Sequence, residues 1–202
     1  MKKQMDPEAI RMAGWSLMLG AVAFVIGIYT GIFGDINNDL WTISFIFLVF
    51  FCTPLLVVGL LGLRSQYGEK VGGFGKNILL ISVLLGSVTS LTGFVGWFVG
   101  SDAIWILFYA GPAVVLASLA MFGLIALYKT PLPRWNVLPL IAGLWYPLMF
   151  FVETFTPISF GGVLGNPLNA VNFVLLLIQG FALAALGYIL KSGVPEETAV
   201  PA

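Results

Sequence analysis

Six apolar stretches, each close to 20 residues long, constrain this fold more than any other feature. About 20 residues of helix cross the roughly 30 Å hydrocarbon core of a bilayer. Helices are expected because backbone groups in lipid must be hydrogen-bonded within the segment, and the alternating pattern of barrel strands is absent. The sequence therefore predicts an all-α, polytopic integral membrane protein with six transmembrane helices in a single domain, residues 1–202. The predicted spans are Ala13–Phe33, Trp41–Leu63, Asn77–Val99, Ala103–Tyr128, Trp135–Val152 and Ala170–Leu190.

The basic residues predict how these spans are oriented. Only 9% of the chain is charged, against about 25% in soluble proteins. All nine basic residues lie in the two terminal segments and in every second connection, the pattern that the positive-inside rule describes. We therefore expect a multi-pass protein of the cell (inner) membrane with both termini cytoplasmic. The nine basic residues are Lys2, Lys3, Arg11, Arg64, Lys70, Lys76, Lys129, Arg134 and Lys191.

The opposite connections are purely acidic. Asp35, Asp39, Asp102 and Glu153 are their only charged residues. A surface of one sign attracts counter-ions, which would suit a cation pathway. The simpler interpretation is that acids remain wherever bases are retained on the cytoplasmic side, and we favour it.

The spans also recur as a pattern. Each odd-numbered span follows a cytoplasmic base, each even-numbered span ends at one, and the period is near 60 residues. The chain is thus predicted to form three tandem helical hairpins, an internal repeat that places helices around an axis along the membrane normal. The alternative is that any series of membrane hairpins produces the same recurrence.

Small residues follow the first and third spans at alternating intervals of three and four. Such seams let membrane helices approach closely. We expect both helices to pack tightly near the bundle centre, either against other neighbours or against each other. The seams are Ala13, Ser16, Gly20, Ala23, Gly27, Thr30 and Gly34, and Ser82, Gly86, Thr89, Gly93, Gly96 and Gly100.

Two local patterns predict interruptions of regular helix: prolines inside the spans and a glycine-rich segment between two of them. Pro54, Pro112 and Pro147 lie inside spans, where each removes a backbone hydrogen bond and predicts a kink. The glycine-rich segment 64–76 fails the phosphate-loop pattern, because Asn77 stands where Ser or Thr is needed after Gly75-Lys76. It is predicted to be a flexible connector.

The chain lacks most of the residue types that carry out catalysis inside a membrane. It contains no histidine and one cysteine, Cys52, and no predicted span carries an ionisable residue at mid-depth. Histidine-ligated metals and serine–histidine dyads are therefore excluded, and an intramembrane proton relay is disfavoured. We predict that the protein is not an enzyme and that it does not bind nucleic acid, and the residues identify no cofactor or metal site.

The candidate ligand-binding residues are polar or aromatic. Asn172 and Gln179 are seven residues apart and therefore share one helix face. They would line a path for a small solute, bind a cofactor, or join helices through hydrogen bonds to Ser87, Thr89 and Ser90; the last is favoured. The remaining candidates are Glu153 at the outer interface, and Trp145 and Tyr146 beside Pro147.

Two functions remain open from the sequence. The first is a scaffold or accessory subunit that packs against other membrane proteins, lipids or hydrophobic cofactors, with the bilayer, other subunits or further copies of itself as partners. The second is transport: a channel or transporter for a small neutral solute or cation along the three-hairpin ring. The lack of titratable groups and the small-residue seams favour the first.

Overall fold

A computed structural model describes residues 5–33, 43–44, 46–99, 102–133, 135–155 and 167–193. These residues are helical or form short connections, without a strand. The helices are α1 (Pro7–Phe33), a π-helical segment π1 (Phe47–Cys52) that runs into α2 (Thr53–Val99), α3 (Asp102–Lys129), α4 (Leu138–Phe155) and α5 (Pro167–Ser192). The all-α prediction is confirmed for the described part of the chain.

Four helical segments are long and apolar enough to cross a membrane. The segment Leu138–Val152 is apolar but shorter. This supports the prediction of a helical membrane protein. The four segments are Pro7–Thr30, Phe50–Thr89, Ala110–Lys129 and Val171–Ser192.

Helix α2 reverses direction at Gly72. This residue has φ 85° and ψ 175°, a conformation that only glycine adopts readily. Across it, Arg64 Nε donates to the Lys76 carbonyl at 3.3 Å, and Lys76 pairs with Glu69. In a straight helix, residues twelve apart are about 18 Å apart, so the two arms of α2, residues 53–71 and 73–99, lie side by side.

The prediction that residues 64–76 form a flexible connector is therefore wrong about their conformation, although the chain does turn within this segment. Both sides of the reversal are helical, and the turn is confined to Gly72. The residues 64–70 include Arg, Gln, Glu and Lys, which are good helix formers, and they continue the helix beyond the apolar run. Glycine content alone overstated the length of the loop.

Each helix packs beside the next one in the chain, and the series closes. Gly59 of the first arm meets Leu17 of α1, Gly86 of the second arm meets Val115 of α3, and Gly123 of α3 meets Leu140 of α4. Helix α5 contacts α4 and, through Gly187 and Gly14, α1. The described helices therefore form a closed ring.

Apolar side chains fill the centre of this ring. Phe24 of α1 packs edge-on against Tyr146 of α4, with ring centroids 5.7 Å apart, although these helices are not sequential neighbours. Leu56, Leu116 and Leu183, from three further helices, are also fully or almost fully buried. The interior is a packed core, and each leucine buried there contributes dispersion contacts.

Glycines of both small-residue seams pack against neighbouring helices, as predicted, where the structure describes their surroundings. Gly20 and Gly27 of α1 lie against Leu55 and Leu48, just before or within α2. Gly86 of the second seam lies against Val115. Gly34 and Gly100 lie outside the described residues.

Pro54 explains the π-helical segment. Proline has no N–H to donate to the carbonyl four residues earlier, so the turns before it are widened. Both the backbone N–H and the hydroxyl of Thr53 donate to the Leu48 carbonyl, the hydroxyl at 2.9 Å. Pro112 and Pro147 lie within α3 and α4.

The described basic residues gather at one end of the bundle. Lys191 lies over the Trp15 ring, 3.9 Å from its centroid, and Gln66 Nε2 donates to the Gly193 carbonyl at 3.1 Å. These contacts join the end of α5 to the start of α1 and to the reversal of α2. The bases at this end are Arg11, Arg64, Lys70, Lys76, Lys129 and Lys191.

Candidate functional site

The main polar cluster lies between α4 and α5, around Gln179. Its side chain is completely buried. Nε2 donates to the Ala142 carbonyl at 2.8 Å, and Oε1 accepts from the Tyr146 N–H at 2.9 Å. In a regular α-helix, the Tyr146 N–H would donate directly to the Ala142 carbonyl, a backbone hydrogen bond that we call one rung of the helix. The Gln179 carboxamide connects this donor and this acceptor from outside α4 and so bridges the rung.

The position of this bridge follows from Pro147. Proline at 147 has no N–H for the Gly143 carbonyl, and its ring crowds the preceding turn. Helix ladders open most easily next to such a residue, and neighbouring side chains then supply hydrogen bonds. Gln179 bonds to the rung immediately before Pro147. The proline weakens the helix at this point, and the amide supplies hydrogen bonds there.

A second polar contact joins the same two helices. Trp145 Nε1 donates to Asn172 Oδ1 at 2.7 Å, and Asn172 is buried. Asn172 and Gln179 thus both point at α4, in agreement with their seven-residue spacing. Tyr146 lies between the contacts and packs on Phe24.

The structure therefore brings together four of the five residues singled out in the sequence: Gln179, Asn172, Tyr146 and Trp145. Glu153 lies in the final turns of α4, and its side chain is outside those described. Of the proposed partners of Gln179 on the third span, Ser87 and Thr89 bond elsewhere. The hydroxyls of Ser87 and Thr89 donate to carbonyls of their own helix, and the Ser90 side chain is not described.

Comparison with known proteins adds no assignment. No family model, curated protein or solved structure matches this chain. The interpretation of the site therefore depends on its own chemistry.

The chemical groups of this cluster suit a structural role. The four residues of this cluster, Gln179 included, provide amide, indole and phenol groups, none of which exchanges protons readily near neutral pH. Within the described ranges, no three His, Cys, Asp or Glu side chains are close enough to hold a metal ion. The arrangement can bind two helices together, and it presents no nucleophile or general base.

The other buried polar side chains are also occupied. The hydroxyls of Thr30 and Ser44 both donate to the Gly27 carbonyl, at 3.1 and 2.5 Å. Ser82 donates to Ile78 at 2.7 Å. In the described part of the chain, every fully buried polar residue thus has a partner within the protein, whereas the buried Oε1 of the half-buried Gln66 has none.

Sequence reasoning missed the backbone partners of Gln179. It identified the amide correctly as a group that needs a partner, but it sought hydroxyl side chains. The useful signal was Pro147, because a proline inside a membrane helix weakens the local ladder and makes backbone groups available.

Proposed function

We propose that the protein is a non-enzymatic integral membrane component, a scaffold or accessory subunit that packs against other membrane proteins, lipids or hydrophobic cofactors. The observation that carries the proposal is the use of Gln179 and Asn172 as internal ties between α4 and α5. With both amides buried and bonded to α4, and with apolar side chains packed in the interior, the outer surface is the part available to a partner. That surface carries large exposed apolar side chains, among them Phe155, Phe181 and Leu91.

The alternative, a channel or transporter, finds less support. A hydrophilic solute needs polar groups or water along its route. Among the described residues, Phe24 packs against Tyr146 across the ring, Leu183 is completely buried, and both ends of the buried Gln179 amide are bonded to α4. Transport would require a separate state in which the ties between α4 and α5 are broken.

We also propose six membrane crossings with both termini in the cytoplasm, arranged as three hairpins. The gathering of basic residues at one end of the bundle supports this orientation. The reversal at Gly72 supports two crossings within α2, and the closed ring of sequential neighbours is the arrangement expected of tandem hairpins.

Cysteine labelling tests this topology. Cys52 is completely buried, so the unmodified chain serves as the blank. With a membrane-impermeant maleimide on intact cells, we expect labelling of Asp39→Cys, Asp102→Cys and Ser159→Cys only. Gly73→Cys, Tyr128→Cys and Ser192→Cys should react only after permeabilisation. Any exchange between the two groups would contradict the six-crossing topology.

Gentle co-purification tests the proposed function. A tagged full-length chain, solubilised in mild detergent from its own membranes, should migrate as a complex with a stoichiometric membrane-protein partner. Untagged cells processed in parallel provide the control. A monodisperse monomer without any partner would count against an accessory subunit, and solute flux in vesicles that contain only the purified chain would favour the transporter instead.

A further inference from the structure

An apolar groove runs along the outer surface between α1 and α5. Its volume is about 220 Å³. Phe181 and Val22 form its rims and are 74% and 55% exposed, so the groove faces outward. Its walls include Val22, Val25, Ile26, Leu177, Phe181 and Ala184.

The groove exists because the two helices approach closely at its basic end and along its floor. Towards the basic end, Gly187 and Gly14 place backbone against backbone: a Cβ on Gly187 would lie 2.7 Å from the Gly14 carbonyl oxygen. Gly180 leaves the floor without a side chain, and a Cβ there would lie 2.4 Å from a methyl group of Val25. Small residues therefore bring the helix axes together while larger neighbours stand out as walls.

A positive charge lies in line with the groove. Lys191 is on α5, and its ammonium group lies over the indole of Trp15 on α1. Arg11 is one helical turn before Trp15 and adds a second basic residue at this end. The pair of helices thus presents a cationic end followed by an apolar channel, which is the complement of an anionic amphiphile.

The distances fit one leaflet of a bilayer. Ala184 and Leu177 are seven and fourteen residues from Lys191, or about 10 and 21 Å along the helix. A headgroup layer is about 5–7 Å thick and one leaflet of hydrocarbon about 15 Å. With Lys191 among the headgroups, the groove occupies the hydrocarbon of the same leaflet and ends near the midplane.

We propose that this groove is a binding site for an anionic phospholipid, with an acyl chain along the groove and the phosphate beside Lys191 and Trp15. A cavity of about 220 Å³ suits a narrow flexible chain. A partner helix, with a diameter of about 10 Å, is too wide to enter the groove as a whole, whereas a single acyl chain is not. The site deepens the proposed function by naming one of the lipids against which the protein packs.

Competition between two lipids tests the site. The full-length protein is transferred into detergent micelles that contain equal amounts of dioleoyl phosphatidylglycerol and dioleoyl phosphatidylcholine, and bound lipid is measured by native mass spectrometry. We expect one retained phosphatidylglycerol, favoured about fivefold or more over phosphatidylcholine, the factor that corresponds to about 1 kcal/mol per basic residue near the surface. A short-chain phosphatidylglycerol should be retained poorly, since it does not fill the groove.

Three variants, two of them with a matched control, test the charge, the groove and its rim separately. Lys191→Gln should reduce the preference for phosphatidylglycerol about fivefold, whereas Lys70→Gln, at another exposed base, should leave it unchanged. Ala184→Leu fills the groove and should abolish retention of both lipids. Ala117→Leu, at a similarly half-buried position on α3, should retain them. Phe181→Ala removes an exposed rim and should weaken retention without loss of folding.

Three results would overturn the inference: equal retention of both lipids, retention that Ala184→Leu does not change, or a dimer of this chain that Phe181→Ala dissociates. The last would identify the groove as an interface between copies. Co-purification of a protein partner with the original chain, together with no preference of that chain for phosphatidylglycerol, would show that the proposed function stands while the lipid site fails.

Discussion

Gly143→Val is expected to cause the largest loss of stability of any single substitution considered for this protein, about 3 kcal/mol or more. A Cβ at Gly143 would lie 2.3 Å from both the Ala120 nitrogen and the Leu116 carbonyl oxygen. These are backbone atoms of α3, so no side-chain rotation relieves the clash. Overpacking within a core costs about 1–3 kcal/mol where side chains can adjust, and more where helices must separate.

Reversible unfolding in mixed micelles of dodecyl sulfate and a mild detergent measures this effect. The free energy of unfolding, extrapolated to zero dodecyl sulfate, should fall for Gly143→Val. Gly73→Val is the matched control, because a Cβ at Gly73 meets nothing within 4 Å. Valine is also a slightly better helix former than glycine, so the control should be neutral or slightly stabilised. Equal losses in the two variants would show that close packing of α3 on α4 is not the cause.

The close contact between α3 and α4 illustrates what the sequence could and could not predict. Membrane helices were predictable because apolar runs of the required length have few other uses. The predicted seams covered the first and third spans, yet the shortest backbone approaches lie at Gly123 and Gly143, on helices where no seam was identified. Two isolated glycines form no periodic pattern, and only the packed structure shows that they face each other's helix.

The same limit applies to the bend in α2 and to the candidate site. Gly72, Gly73 and Gly75 all marked a turn, but the residue that reverses the chain depends on which arms pack together. Likewise, the need of Gln179 for a partner followed from its depth in an apolar span. Its partner depended on the rung that Pro147 makes available, which is a property of the packed helix pair.

Gln179→Ala is expected to have the second largest effect, a loss of about 3 kcal/mol in the free energy of unfolding. Two contributions add. The two hydrogen bonds to Ala142 and Tyr146 contribute about 0.6 kcal/mol each on the average for membrane proteins. Truncation of a completely buried side chain also leaves a cavity, and such changes typically cost about 2 kcal/mol or more.

Gln179→Met separates these two contributions. Methionine is unbranched, fills nearly the same volume and cannot bridge the rung of α4, so this variant should lose about 1 kcal/mol. Ile178→Ala controls for truncation on the same helix. Its side chain is 46% exposed on the outer face, so the change should cost little. The same unfolding assay in mixed micelles measures all three.

The comparison of these variants also bears on the two proposed functions. If Gln179 is a tie between helices, solute flux in vesicles should stay at background in the original chain, while Gln179→Ala and Gln179→Met should lose stability in the order given. A stable Gln179→Ala protein would show that the amide is not a tie. Flux in the original chain that disappears in Gln179→Met, with folding intact, would instead contradict the scaffold and favour a transporter in which Gln179 takes part.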